Sequence, residues 1–257
     1  MSEIINMDKK VLLVLLLMSS CVLQAPPAED TMMELPAVGG NELVIEHKGY
    51  TVNYNRTLRI PNWVAYELTD EETRGESQRS DRMFRKDPEL KGTQAMREDY
   101  SGSGWTKGHM APAADFRWDD DAMDETFYLS NVCPQSEELN SGDWEYLERQ
   151  VRNWARRYGK AWVVSGPIVG ADYETIGERD VAVPESFFKA VLVHDGISYS
   201  SIAFIMGNDA ERYYLRDCAV SINELEKKTG FDFFPALDDS FEEEVESDVD
   251  LQVWNIR

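Results

Sequence analysis

The residues on which the fold turns are Thr106-Lys107-Gly108-His109-Met110-Ala111-Pro112, Leu129-Ser130-Asn131-Val132-Cys133-Pro134-Gln135, Leu139-Asn140-Ser141-Gly142-Asp143-Trp144 and Leu147-Glu148. Trp144, Leu147, Val151, Trp154, Ala155 and Tyr158 recur at helical spacing, so an amphipathic helix is expected over Asp143 to Tyr158. Its polar face carries Glu148, Arg149 and Arg152. His109 stands between Gly108 and Pro112, a turn-rich setting in which an imidazole can be exposed and held. With an ordinary pKa of about 6.5 such a ring takes protons at neutral pH, although a lone histidine reads as readily as a surface or core residue. Asn140 precedes the helix and reads either as its N-terminal cap or as a hard oxygen ligand suited to Mg²⁺. Glu148 lies two turns further on, where it reaches the same side as Asn140 or pairs with Arg152 at i,i+4.

Outward from this stretch, Tyr50-Thr51-Val52-Asn53-Tyr54 and Trp63-Val64-Ala65-Tyr66-Glu67-Leu68 alternate as two strands around a turn at residues 55–62. Thr69 to Lys107 reads as a long surface excursion, and Phe127-Tyr128-Leu129-Ser130 as a short strand. Ala161 to Val169 is an apolar strand. Phe187 to His194 and Tyr199 to Met206 flank the turn signal Asp195-Gly196. Ser221-Ile222-Asn223-Glu224 is a capping box opening a helix that ends near Lys228, with Gly230 just beyond. Strands and helices fall in blocks with hairpins between them, which points to an α+β domain.

At the N-terminal side, Val11 to Met18 follows Lys9-Lys10 and runs into Ser19-Ser20-Cys21, the pattern of an export signal too short to span a bilayer, which takes about 20 apolar residues. Met18-Ser19-Ser20-Cys21 resembles a bacterial lipobox, which implies lipidation at Cys21 and attachment to a membrane by that anchor in the cell envelope; simple secretion is the alternative. The chain then divides into a signal at 1–20, a flexible tether at 21–43, a domain at 44–237 and an acidic tail at 238–257. That tail holds eight acids against Arg257 and is expected to be a solvated end.

The 257 residues hold 26 basic against 48 acidic side chains, a net charge of −22 that disfavours nucleic-acid binding by bulk charge alone. Three cysteines exclude a disulfide scaffold, and His47, His109 and His194 are too far apart for a local zinc motif. Cys133 and Cys218 have the option of pairing in an oxidising compartment, but the setting of Cys133 favours a buried free thiol.

The ordered blocks from Trp105 to Trp154 closely resemble the DNA/RNA non-specific endonuclease family, whose members share a ββα-metal (His-Me finger) core. The resemblance extends to Asn62-Trp63-Val64-Ala65-Tyr66, Gly166-Pro167 and the helix end at Glu224 to Gly230, covering roughly residues 48–237. It implies an α+β fold with an antiparallel or mixed central sheet flanked by helices. It also implies a metal-dependent endonuclease acting on both DNA and RNA, with Mg²⁺ as cofactor and Mn²⁺ or Ca²⁺ able to stand in for it, and the N-terminal signal pattern makes this an exported enzyme. By the same resemblance His109 is the general base and Asn140 the single protein ligand of the metal. Glu148 is a carboxylate reaching the metal's waters, Arg152 a neighbour of the phosphate, Asn131 a residue that positions the site, and Arg82 the arginine that neutralises charge on the phosphate.

The chain departs from the family's Asp-Arg-Gly-His at Thr106-Lys107-Gly108-His109. Lys107 keeps a substrate-binding charge without the planar fork of arginine, and Thr106 lacks a carboxylate. An impaired, lipid-anchored member of the fold that binds nucleic acid without cutting it is therefore the second reading. A nucleic-acid substrate on so acidic a body requires Arg82, Arg85, Lys86, Lys91, Arg97, Lys107 and Arg152 to gather around His109 as a local positive groove.

Overall fold

A computed structural model describes residues 32–39, 43–79 and 81–256. The expected signal, Cys21 and most of the tether lie outside the described residues. Strands β1 (Leu43–Glu46), β2 (Thr51–Asn55) and β3 (Ile60–Thr69) form an antiparallel meander. Strand β4 (Thr106–His109), helix α1 (Asp120–Glu125), strand β5 (Val132–Gln135) and helix α2 (Trp144–Tyr158) follow. Strand β6 (Lys160–Ile168) leads to the short β7 (Thr175–Ile176) and β8 (Val181–Ala182), then to the long hairpin β9 (Ser186–His194) and β10 (Tyr199–Gly207). Helix α3 (Leu215–Cys218), strand β11 (Ala219–Val220) and helices α4 (Ile222–Thr229) and α5 (Asp239–Ser247) complete the order.

One seven-stranded sheet runs β1-β2-β3-β6-β9-β10-β11, and every pairing in it is antiparallel. Alternation along the strands divides its side chains between two cores. Val64, Tyr66, Val163, Phe187 and Val191 face the layer formed by α2 and the β4–β5 pair. Trp63, Ala65, Trp162, Val164, Phe188 and Leu192 face the opposite side with Ile222 and Leu225 of α4 and Val245 of α5. Helices thus cover both faces, which accounts for β9 being buried at every residue.

Two sequence expectations change here. Residues 127–130 do not form a strand: Arg85 bridges Tyr128 through two backbone hydrogen bonds, and the chain then turns at 129–131. The excursion 69–107 is not merely a surface loop, because it buries Leu90, Ala95 and Tyr100 and the hydrogen-bonded pair Asp87 and Gln94. Its Asp87 is gripped from below by His47 Nε2 at 3.0 Å and by the Ser130 hydroxyl, so long loops are pinned by polar pairs where apolar contacts are few.

Both flanks of the domain are also more ordered than their composition indicates. Within the expected tether, Met33 is buried against the α4 side of the sheet, Leu35 packs with it, and the Ala37 amide donates to the Asp232 carbonyl. Within the acidic tail, α5 packs on β10 and α4. Further along, Trp254 is buried against Trp154 of α2, whose indole Nε1 donates to the Trp254 carbonyl at 3.0 Å. Apolar Val245 and Trp254, spaced among the acids, decide this placement over net charge. Cys133 and Cys218 are both buried free thiols.

Candidate active site

Strands β4 and β5 pair in register from Thr106 opposite Gln135 to His109 opposite Val132, and α2 follows β5 through a single wide turn at Leu139–Asp143. This is a ββα unit. Gly108 is demanded by it, since a Cβ there would lie 2.7 Å from Gln135 Cβ on the paired strand. At the end of β4 the His109 ring is packed between Phe84, 5.0 Å away, and Phe127, which meets it edge-on at 5.2 Å. Asn131 locks the approach: its Oδ1 accepts from the Ala111 amide and its Nδ2 donates to the Ala111 and Thr126 carbonyls. Asn131 is fully buried, so its part is to fix the backbone next to His109.

A cleft of about 330 Å³ brings together His109, Asn140, Glu145, Glu148, Arg152 and Arg79. His109 is 7% exposed, against the expectation of an open ring, and its Nε2 has no hydrogen-bond partner among the described residues. Burial pushes its pKa down to about 3, with the Arg79 charge adding to the effect. The ring is therefore neutral at physiological pH and keeps a basic nitrogen.

Asn140 does not cap α2; it lies in the wide turn that precedes it. Its Nδ2 donates to Thr106 Oγ1 at 2.9 Å, and Thr106 in turn donates to the Gln135 carbonyl. With the amide nitrogen so held, the Asn140 carbonyl oxygen is the end left for the cleft. Thr106, where the sequence lacks the family's carboxylate, thus aims the amide of Asn140.

The polar layer beneath the cleft is ionic. Arg152 reaches Asp115 at 2.6 Å instead of Glu148, and Tyr66 donates to the other Asp115 oxygen at 2.8 Å. Glu148 makes no ion pair among the described residues; burial raises its carboxyl, with the Asp115 charge adding and the Lys189 and Arg152 charges opposing. Below it, Lys189 on β9 is fully buried, donates to Ser165 Oγ on β6 and lies 4.6 Å from the Trp144 ring. Burial lowers the Lys189 ammonium while the charges of Glu148 and Asp115 hold it up.

These groups fit a small, hard divalent cation. The cleft offers the Asn140 amide oxygen and the carboxylates of Glu145 and Glu148, and Glu148 is a half-buried acid with no salt bridge among the described residues. No trio of His, Cys, Asp or Glu suited to a metal occurs among the described residues.

The expected positive groove forms only in part. Arg152 lines the cleft, but Arg82 turns to α1, where its Nη2 meets Asp120 Oδ1 at 2.7 Å. Arg85 pairs with Asp124, and with Lys86 and Arg97 it lines a separate shallow pocket. Lys107 Nζ lies over the Tyr100 ring at 5.0 Å and the Phe84 ring at 5.9 Å, with its ammonium lowered by burial and by Arg97. Lys91 does not line the cleft, and its carbonyl accepts from Arg56. Arg79, Asp115 and Lys189 join the site without an expectation from the sequence. Lys189 had a visible signal, a lone charge at an inward position of the apolar run Phe187 to Val193.

The family model for DNA/RNA non-specific endonucleases matches residues 29–240. The chain belongs to that family. It is 37% identical over 232 residues to the mitochondrial nuclease EXOG of Xenopus laevis, a match spanning 83% of this chain and 64% of that protein. It is 36% identical over 204 residues to the mitochondrial endonuclease G of Homo sapiens, covering 74% of this chain and 69% of the relative. Among solved structures, the EndoG/EndoGI complex, determined for the mechanism of EndoG inhibition, superposes with a TM-score of 0.75 at 28% identity. That match covers 84% of this chain and 95% of the other, so the ββα unit and its sheet are the family's fold. The chain spans slightly under two thirds of the Xenopus relative's length.

Proposed function

We propose that this chain is a magnesium-dependent endonuclease that hydrolyses the phosphodiester bonds of DNA and RNA. The observation that carries the reading is a buried, neutral His109 sharing one cleft with the directed amide of Asn140 and the unpaired carboxylate of Glu148. In this reading His109 takes the proton from the attacking water through its Nε2, which has no partner among the described residues and lines the cleft. Asn140 holds the metal through its amide oxygen, and Thr106 holds Asn140. A magnesium ion there supplies positive charge for the scissile phosphate and the departing oxygen. Arg79 and Arg152 add fixed positive charge on the walls of the cleft, and Asp115 keeps Arg152 in place. Asn131 preserves the position of His109 through the Ala111 backbone. Contacts made by such groups go to phosphates, which carry no base identity, so cutting without sequence preference follows.

Nicking of supercoiled plasmid in Mg²⁺, with and without EDTA, tests the proposal. His109→Ala should lower the rate by a factor on the order of 10²–10⁴, the range for loss of a general base. A His109→Ala protein that folds normally and nicks at the unaltered rate would remove His109 from the mechanism. Retention of nucleic acid by a wild-type protein that never cuts it would favour the binding-only reading.

A further inference from the structure

A groove of about 880 Å³ runs beside the cleft, and Ser141 lines both. The two are served by adjacent stripes of α2. Glu145, Glu148 and Arg152 face the cleft, whereas Tyr146 and Arg149 lie one position along, about 100° around the helix, and line the groove. Its opposite wall carries Arg212 and Tyr214.

This wall is unusual for so acidic a chain. Tyr146 is 44% exposed, Tyr214 73%, and the Arg212 side chain 86%. Arg149 lies 5.6 Å from the Tyr146 ring centre. Each arginine has one carboxylate contact: Arg149 with Glu145 at 2.7 Å, and Arg212 Nε with Asp143 at 3.4 Å. A guanidinium carries five N–H donors, so a single carboxylate contact leaves donors on both for a second anion. Open aromatic faces beside such arginines, in a concave surface joined to a phosphodiester site, match the needs of unpaired nucleotides: stacking for the bases and charge for the phosphates. In a duplex the base faces are already stacked on one another and cannot meet these rings.

We propose that this groove receives a single-stranded segment of the nucleic acid as it leaves the cleft, with bases stacked on Tyr146 and Tyr214 and phosphates held by Arg149 and Arg212. The proposal rests on the nuclease reading above. It makes the protein favour a strand over a duplex of the same sequence through residues away from the reacting atoms.

The test compares kcat/KM on a long single-stranded oligonucleotide and on its duplex, for the full chain and for Tyr146→Ala/Tyr214→Ala. The single-strand to duplex ratio should fall about tenfold in the double variant, as loss of one to two stacked bases implies. Arg212→Glu, a surface change, should shift the ratio the same way. An unchanged ratio in both variants, with both substrates still cut, would overturn the groove. If the wild type cuts neither substrate, the nuclease reading fails by itself. Fluorescence anisotropy with the same strand and no metal then decides the groove: weaker binding by the double variant upholds it, and equal binding overturns it.

Discussion

The two faces of the seven-stranded sheet are built from alternate residues of the same strands, yet they bury different chemistry. On the α4 side, β3, β6 and β9 present Trp63, Ala65, Trp162, Val164, Phe188, Ala190 and Leu192, all apolar. On the α2 side the same strands present Tyr66, Ser165 and Lys189, with Ser165 and Lys189 as register partners beneath Glu148 and Asp115. Paired charges in an interior seldom gain stability over apolar residues of the same size, so the ionic layer on one face marks where the sheet serves chemistry as well as folding. On the other face the residues these three strands contribute to the cluster serve packing alone.

The sharpest way to break that contrast uses neighbours on β9. Phe188→Ala should cost about 3–5 kcal/mol through its cavity, while the turnover of the molecules that remain folded is unchanged. Lys189→Met should cost a comparable amount, about 3–5 kcal/mol, by stranding Glu148 over a neutral floor. It should also lower turnover per folded molecule, measured at a temperature where both variants are native by urea titration. Equal turnover in the two would erase the distinction between the faces.

Acid should reveal the next difference. His109 is held neutral by burial, with its pKa at about 3, whereas the unfolded chain takes up that proton near pH 6.5. Its contribution is thus complete above pH 6.5 and is lost as pH falls toward the folded value, at about 1.4 kcal/mol per unit. Urea unfolding between pH 6.5 and 4.5 should show a shallower pH slope for His109→Leu than for wild type; parallel slopes would contradict a buried neutral ring.

The opposite face should respond in the opposite direction and less strongly. Glu246 of α5 is buried with its Oε1 unpartnered, and burial followed by the charges of Glu226, Glu242 and Asp232 raises it to about 9. The protonated acid then favours the native state below the ordinary carboxylate pKa, and this is lost as pH rises through the folded value. Glu246→Gln should remove a decline on the order of 1 kcal/mol between neutral and alkaline pH. The same decline in the variant would place its origin elsewhere.

Local patterns made much of this legible. The hydrophobic spacing of Trp144 to Tyr158, the capping box at Ser221 and the hairpin around Asp195-Gly196 each depend on near neighbours, and each forms within a residue or two of its expected place. His109, Asn140, Glu148 and Arg152 do meet in one cleft. What stayed hidden depends on partners remote in sequence. Arg82 and Arg79 are equivalent loop arginines until folding presents an acid, Asp120, to the one and the cleft to the other. The composition of 238–257 foretells a solvated end, and only the packed Trp154 reveals what Trp254 is for. The role of Thr106 required seeing which atom of Asn140 it holds.

The contact between Trp154 and Trp254 joins residues a hundred positions apart. A polypeptide made from its N-terminal side carries the helix bearing Glu148 into solution long before the residue that covers Trp154 has been synthesised. Until then the face of that helix around Trp154 lacks the ring that covers it, so the packing of this part of α2 is completed late in synthesis.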